Sequence, residues 1–192
     1  MKKYKLLFLD IDGVLNHSVY KGSTFLVEPD VPVCKDNLEA LKYIIDNTED
    51  LGIVWSSQWR LTEDKHFDKD WYNPRLYIEK LDWFKKYLID VTPAKLSSNH
   101  FQEIHFWFSK NAENKKYVGK SIFTEQVFDY SNYVIIDDLD SDGMKKYGDH
   151  FFLANSEIGL TVEMAKNIVE YFKQDFSFET LKEELDWANN WN

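Results

Sequence analysis

Cysteine is almost absent from this 192-residue chain, which has Cys34 alone. A single cysteine excludes a disulfide within the chain and is typical of proteins of a reducing cytosol. Long apolar runs are also lacking, and none approaches the roughly 20 apolar residues that a membrane-spanning helix needs. We therefore expect a cytoplasmic protein with no membrane partner.

Basic residues are outnumbered, with 23 Lys and Arg against 33 Asp and Glu and a formal net charge of −10. Such a protein repels long polyanions, so we expect no extended nucleic-acid surface, and any contact should be local, at a chain end or a single nucleotide. The hydrophobic content of 44% is ample for a sizeable core. The length predicts one compact domain over residues 1–192.

The most informative stretch directly follows the apolar run 6–9. A buried run that ends in acids and a glycine is typical of a strand in a parallel sheet, and ligand sites lie beyond the carboxyl ends of such strands. Asp10 and Asp12 would repel each other there unless a hard, oxygen-binding cation offset their charges. Asp10 could then be metal ligand and nucleophile, Asp12 could protonate a leaving oxygen, and Gly13 would let the backbone approach a ligand. The alternative is an acid-rich turn without function.

A second apolar run, 51–55, is separated from the first by a predicted helix, which makes a parallel strand–helix–strand unit. Ser56 should therefore lie on the same sheet edge as Asp10, where a hydroxyl beside loop amides can hold a phosphoryl oxygen. Ser57 and Arg60 are further candidate substrate ligands, because the planar guanidinium fork suits phosphate or carboxylate. The alternatives are a serine that caps a turn and a solvent-exposed arginine.

A third apolar run, 133–136, again ends in two acids, Asp137 and Asp138. The pattern of a strand followed by acids thus occurs twice, and it predicts that these carboxylates join the site at the same edge of the sheet. Both are candidate metal ligands.

Three other segments complete the predicted organisation. Residues 16–35 form a long connection that could be a lid over the site or an ordinary surface loop. Residues 61–92 are predicted to be a helical insertion, with an amphipathic helix from Asn73 to Leu88. A last helix is predicted over residues 177–190.

The stretches FLDIDGVLN and WSSQWR, in this order before the paired acids, resemble motifs of the haloacid dehalogenase (HAD) superfamily. WSSQWR is similar, more narrowly, to an element of the HAD domains of Swiss Army knife RNA repair proteins. The resemblance implies a three-layer, Rossmann-like α/β fold, in which a parallel sheet has helices on both faces and small or minimal cap insertions. It also implies a phosphatase that depends on Mg²⁺.

The resemblance assigns roles to the acids. Asp10 would attack phosphorus and form an aspartyl-phosphate, and Asp12 would act first as acid and then as base. Mg²⁺ would be held by Asp10, by the backbone carbonyl of Asp12 and by one of the paired acids. In that pair the family pattern favours Asp138 over Asp137, while Ser56 and a cation would hold the phosphoryl group.

The cation of the superfamily's motif III is missing from its expected place, where this sequence has His100. Three substitutes are open: His100 itself, Lys95 and Lys120. We expect a lysine, because a neutral imidazole at pH 7 gives little electrostatic help. Lys120 is preferred because it precedes the third strand, as motif III does across the superfamily.

The narrower resemblance implies that the substrate is a nucleotide or the 3′ or 5′ phosphate of a nucleic-acid end, and Trp59, Trp71 and Tyr72 could stack a base. The negative net charge makes a sugar or metabolite phosphate an alternative. A non-catalytic module that binds phosphate or a partner is a rival of another class, supported by the missing cation. Asp10 and Asp12 argue against it, because a binding module needs no nucleophile–acid pair.

Overall fold

A computed structural model describes residues 3–17, 26–61, 72–93, 99–112, 119–120 and 125–174. The strands are β1 (Lys3–Leu9), β2 (Leu26–Glu28), β3 (Val31–Cys34), β4 (Leu51–Trp55), β5 (Leu88–Val91), β6 (Gly119–Lys120), β7 (Glu125–Asp137) and β8 (Phe151–Leu153). The α-helices are α1 (Lys35–Asn47), α2 (Pro74–Ile78), α3 (Asp82–Lys85), α4 (His100–Ala112), α5 (Asp142–Lys145) and α6 (Val162–Tyr171). None of these helices has the length and apolar character needed to cross a bilayer.

Five strands form a parallel sheet in the order β5-β4-β1-β7-β8, and β6 pairs antiparallel with the start of β7. The central strand β1 pairs through Leu9 with Trp55 of β4 and with Ile136 of β7. The carboxyl ends of three neighbouring strands therefore meet at one edge of the sheet, as the sequence predicts. Helices flank the sheet, so the predicted Rossmann-like α/β fold is confirmed.

The apolar run of β1 serves both layers of the core, because alternate side chains of a strand point to opposite faces. Leu7 and Leu9 pack in a cluster that includes the buried residues of α1 and α6. Leu6 and Phe8 pack in a second cluster with α4. All four side chains are fully buried, which explains why this strand is a continuous apolar run and not an alternating one.

The helix predicted from Asn73 to Leu88 was wrong in its extent. Asn73 does cap a helix, accepting from the backbone N–H of Leu76, but α2 ends at Ile78. Leu81 is extended and separates α2 from α3, and Leu88 begins β5, which pairs with β4 at the edge of the sheet. The apolar residues of this segment have the spacing of a helix, but its last residues pair with β4 and form a fifth parallel strand.

The described part of the 16–35 connection is a small antiparallel hairpin formed by β2 and β3. Val31 and Val33 are buried in the core cluster of α1, so this part packs on the domain. The remainder of the connection, residues 18–25, lies outside the described residues, as does the helix predicted over residues 177–190.

Candidate active site

Three ionisable side chains converge at the carboxyl edge of the sheet. Asp10 follows β1, Asp137 ends β7 and His100 begins α4. The Nδ1 atom of His100 lies 2.6 Å from Oδ2 of Asp137 and 3.4 Å from Oδ2 of Asp10. Asp10 is 2% exposed and Asp137 is fully buried. The two strand-ending acids predicted from sequence are therefore together, and His100 lies between them.

The environment of Asp10 works against its charged form. Burial, and then the negative charge of Asp137, raise the pKa of Asp10 to about 7. Three groups oppose this increase: the charge of His100, the backbone N–H of Ile11 and the side chain of Ser57. Asp10 must be ionised to act as a nucleophile, so neighbouring positive charge decides how much of it is reactive near pH 7.

His100 supplies such a charge. Burial alone would lower the pKa of this imidazole, but its hydrogen bond with Asp137 and the charges of Asp10 and Asp137 raise the pKa to about 9. His100 is therefore protonated at neutral pH, beside Asp10. The objection that a histidine is neutral at pH 7 does not hold in this site.

Lys120, the preferred candidate for the missing cation, lies toward the other end of the sheet. Its backbone pairs with Glu125, at the amino end of β7, whereas the site lies at the carboxyl end. The seven residues of β1 span the same sheet, and at about 3.3 Å per residue they separate its two ends by roughly 20 Å. That separation is longer than any side chain. Lys95, the other lysine considered, lies outside the described residues.

Asp12, two residues after Asp10, is exposed, and its carboxylate is hydrogen-bonded through one oxygen. Its Oδ1 atom accepts hydrogen bonds from Nδ2 of Asn16 at 2.8 Å and from Nε1 of Trp59 at 2.9 Å. Sequence reasoning missed Asn16 altogether and considered Trp59 only for base stacking. Both lie inside the two diagnostic stretches, but no local pattern shows that they meet.

Gly13 is required by its surroundings. Its φ of +65° favours glycine, and a Cβ placed there would lie 2.0 Å from Oδ2 of Asp138. Gly13 was predicted to let the backbone approach a ligand closely. In the structure the side chain of Asp138 lies against it. Burial, followed by the charge of Asp137, raises the pKa of Asp138.

The two serines after β4 differ in their contacts. The Oγ atom of Ser57 accepts from the backbone N–H of Trp59 at 3.4 Å, and its side chain lowers the pKa of Asp10. Ser56 is fully buried, and its Oγ atom has no hydrogen-bond partner among the described residues. Both hydroxyls therefore stay candidates for binding a phosphoryl oxygen, and the Oγ atom of Ser56 is the one without a protein partner among the described residues.

Arg60 is buried, and its guanidinium is bound by groups of the protein. Its guanidinium is 1% exposed, and Nη1 donates to the carbonyl oxygens of Ser56 at 3.1 Å and Ser57 at 2.5 Å. Nε donates to the carbonyl of Thr92 at 3.0 Å, and Nη2 pairs with Glu103 at 2.5 Å. These contacts use the donors of the guanidinium that were predicted to bind a substrate anion. In the structure Arg60 instead stabilises the loop after β4.

The carboxylates of the cluster, and not the protonated imidazole between them, are the groups that fit a hard cation. Ligand atoms of Asp10, His100 and Asp137 lie within 4.8 Å of one another. Buried carboxylates this close repel each other, and carboxylate oxygens are the ligands that Mg²⁺ takes in proteins. Asp138, against Gly13, offers another carboxylate at the same edge.

Comparison with known proteins assigns the chain to a family. A family model described as the HAD domain in Swiss Army Knife RNA repair proteins matches residues 6–165, which include every catalytic and metal candidate that the structure places at the site. Searches of curated proteins and of solved structures gave no match. Since the matched region covers most of the chain, the protein belongs to the HAD domain family of Swiss Army Knife RNA repair proteins.

Proposed function

We propose that this HAD domain is a Mg²⁺-dependent phosphomonoester hydrolase that acts through an aspartyl-phosphate on Asp10. The observation that carries the proposal is the buried cluster of Asp10, His100 and Asp137 at the carboxyl edge of the sheet. Phosphoryl transfer to an aspartate needs a carboxylate nucleophile, a positive charge and an acid, and Asp10, protonated His100 and exposed Asp12 can supply them.

In the first step a carboxylate oxygen of Asp10 attacks phosphorus in line. The bond between phosphorus and the leaving oxygen breaks, and Asp12 donates a proton to that oxygen. The positive charge of His100, 3.4 Å from Asp10, stabilises the developing negative charge, and the hydroxyls of Ser56 and Ser57 hold the phosphoryl oxygens.

In the second step Asp12, now ionised, takes a proton from a water molecule. The water oxygen attacks phosphorus of the aspartyl-phosphate, inorganic phosphate leaves, and the carboxylate of Asp10 is restored. Since Asp12 is exposed, water reaches it directly. One residue therefore serves as acid and then as base, as microscopic reversibility allows.

The residues that would hold Mg²⁺ are Asp10, Asp138 and the backbone carbonyl of Asp12. Asp137 is the alternative, but both of its oxygens already have partners, since Oδ2 contacts His100 and Oδ1 accepts from the N–H of Leu139. When bound, the metal supplies charge neutralisation of the phosphoryl oxygens. We therefore assign Asp137 to holding His100 and Asp138 to the metal.

The proposed substrate is a nucleotide or the terminal phosphate of a nucleic acid, which the RNA repair association of the family supports. The net charge of −10 favours a second candidate, a small sugar or metabolite phosphate. A panel of mononucleotides, sugar phosphates and oligonucleotides with 5′ or 3′ phosphates, assayed with and without Mg²⁺, distinguishes these substrates.

The proposal is tested first by Asp10→Asn. We expect Mg²⁺-dependent phosphate release to be lost in this variant, because the amide is not a nucleophile, while the fold is retained. Asp46→Asn, a change of the same kind on the exposed face of α1, is the control and should leave turnover unchanged. Undiminished turnover in Asp10→Asn would remove Asp10 from the mechanism. Phosphate binding without hydrolysis in the unmodified protein would favour a non-catalytic binding module.

A further inference from the structure

Trp59 joins the loop after β4 to the loop after β1. It lies in the 3₁₀ helix Gln58–Leu61, and its ring is partly buried against the core cluster that contains α1. From there the indole Nε1 donates to Oδ1 of Asp12 at 2.9 Å. The two residues are 47 positions apart in sequence, so this contact depends on the pairing of β1 with β4.

Oδ1 of Asp12 accepts a second hydrogen bond, from Nδ2 of Asn16 at 2.8 Å. The Oδ1 atom of Asn16 in turn accepts from the backbone N–H of Gly13 at 3.0 Å, which fixes the asparagine amide. A carboxylate oxygen offers about two acceptor positions, and on Oδ1 both are taken by donors. A proton on Asp12 therefore belongs on Oδ2.

We propose that Trp59 is a positioning residue for the general acid. Together with Asn16 it occupies Oδ1 of Asp12, so that Oδ2 carries the proton that passes to the leaving oxygen. This inference rests on the proposed phosphomonoesterase function and adds to it a residue with a defined task. Asp12 is exposed, and without these donors its carboxylate would rotate among several orientations.

The proposal predicts an effect that depends on the leaving group. Protonation of the leaving oxygen matters for an alkyl phosphate and little for an aryl phosphate whose alcohol is a good leaving group. Trp59→Phe keeps an aromatic ring but removes the N–H donor. We expect the single-turnover rate of phosphoenzyme formation from an alkyl phosphate to fall on the order of tenfold, the effect of losing one hydrogen bond. For p-nitrophenyl phosphate we expect a change of less than about threefold, and KM should change little for either ester.

Three further variants make the test specific. Asp12→Asn should show the same leaving-group dependence with a larger loss, and adding Trp59→Phe to it should cost nothing more, because the two residues act as one unit. Trp59→His retains a ring N–H and should keep more of the alkyl phosphate rate than Trp59→Phe. Trp107→Phe is the matched control: Nε1 of Trp107 also donates to a carboxylate, Oδ2 of Asp90 at 2.8 Å, but away from Asp12. It should show no leaving-group dependence.

The results of these assays distinguish a failure of the role of Trp59 from a failure of the proposed hydrolase function. Equal losses in the rate of phosphoenzyme formation for both esters in Trp59→Phe, an effect on KM alone, or no effect would overturn the role of Trp59 while leaving the hydrolase mechanism in place. An effect confined to KM for nucleotide substrates would instead indicate base stacking. Absence of leaving-group dependence in Asp12→Asn itself, or no hydrolysis of either ester by the unmodified protein, would overturn the proposed mechanism and this inference with it.

Discussion

Asp10 and His100 set the pH behaviour of the protein at the scale of single residues. The pKa of His100 is raised from 6.5 to about 9, so its contribution to folding is fully present below pH 6.5 and is lost as pH rises through about 9. The pKa of Asp10 is raised from 3.8 to about 7, and because its buried charge is unfavourable, folding stability is also lost as it ionises between these values. Both residues therefore lower stability as pH rises.

The first prediction follows from these directions. With a chelator present, the thermal midpoint should fall as pH is raised from 6.5 to about 9, and His100→Gln should flatten that fall. His105→Gln is the control. Burial lowers the pKa of His105, so its contribution changes below pH 6.5 and its replacement should leave the alkaline slope intact. An unaltered slope in His100→Gln would show that this imidazole is not protonated in the folded protein.

A second prediction concerns the cation used in catalysis. His100→Ala should slow the chemical step on the order of a hundredfold, as loss of a preorganised charge does at other transition states. His100→Lys should retain more activity than His100→Ala, because it restores a positive charge, and it should lose less activity at alkaline pH. Lys95→Ala and Lys120→Ala should remain active. Single-turnover rates measure this step. If Lys95→Ala lost activity while His100→Ala stayed active, the catalytic cation would be Lys95 and not His100.

A third prediction concerns Gly13, where an added Cβ would lie 2.0 Å from Oδ2 of Asp138. Gly13→Ala should displace that carboxylate and reduce the stabilisation of the fold by Mg²⁺, measured as the shift of the thermal midpoint on addition of the ion. Gly148→Ala is the matched control, since Gly148 also has a positive φ of 55°, but a Cβ added there would meet nothing within 4 Å. The control should lose stability from backbone strain, about 1 to 2 kcal/mol, and keep its response to Mg²⁺. An equal response to Mg²⁺ in Gly13→Ala would argue against Asp138 as a metal ligand.

At the scale of secondary-structure elements, the ion pair of Arg60 and Glu103 ties the loop after β4 to α4. Arg60 holds the carbonyls of Ser56 and Ser57, and Glu103 lies one turn after His100 in α4. The pair therefore joins the loop that carries Ser56 and Ser57 to the helix that carries His100.

The fourth prediction tests this connection. Glu103→Gln keeps the shape of the side chain but leaves Arg60 as a buried charge without its acidic partner, since the two side chains are 1% and 2% exposed. We expect a loss of about 3 to 5 kcal/mol in the free energy of unfolding, measured with denaturant. Asp46→Asn, which breaks the exposed pair with Lys42, should cost less than about 1 kcal/mol. Comparable small losses in both variants would show that the buried pair contributes no more than a surface pair.

At the scale of the whole molecule, the net charge of −10 limits how a nucleic acid could bind. The fifth prediction is that KM for a phosphate-ended oligonucleotide stays nearly constant as the oligonucleotide is lengthened, and that its dependence on salt is weak. A protein that neutralises many phosphates shows a steep salt dependence instead. Steady-state assays over a length series and a salt series measure both quantities. A KM that falls with length and rises steeply with salt would reveal an extended basic groove.

The sequence alone was enough to predict the sheet and the acids at its edge. Strands that are buried on both faces are apolar runs, and β1, β4 and β7 are recognisable for that reason. Parallel strands end at the same edge, so Asp10, Ser56 and Asp137 could be placed together without coordinates. The requirement for glycine at position 13 followed from the same local pattern.

The tertiary structure decided what depends on contacts between distant segments. The pKa of His100 is raised by Asp10 and by Asp137, which is 37 residues further along the chain. The pKa of a free histidine was therefore a poor guide to its charge. The burial of Arg60 depends on Glu103 in another helix, and strand β5 depends on pairing with β4. Periodicity and residue type describe the chain locally, whereas a pKa, a buried ion pair and an edge strand are set by whatever the fold brings alongside them.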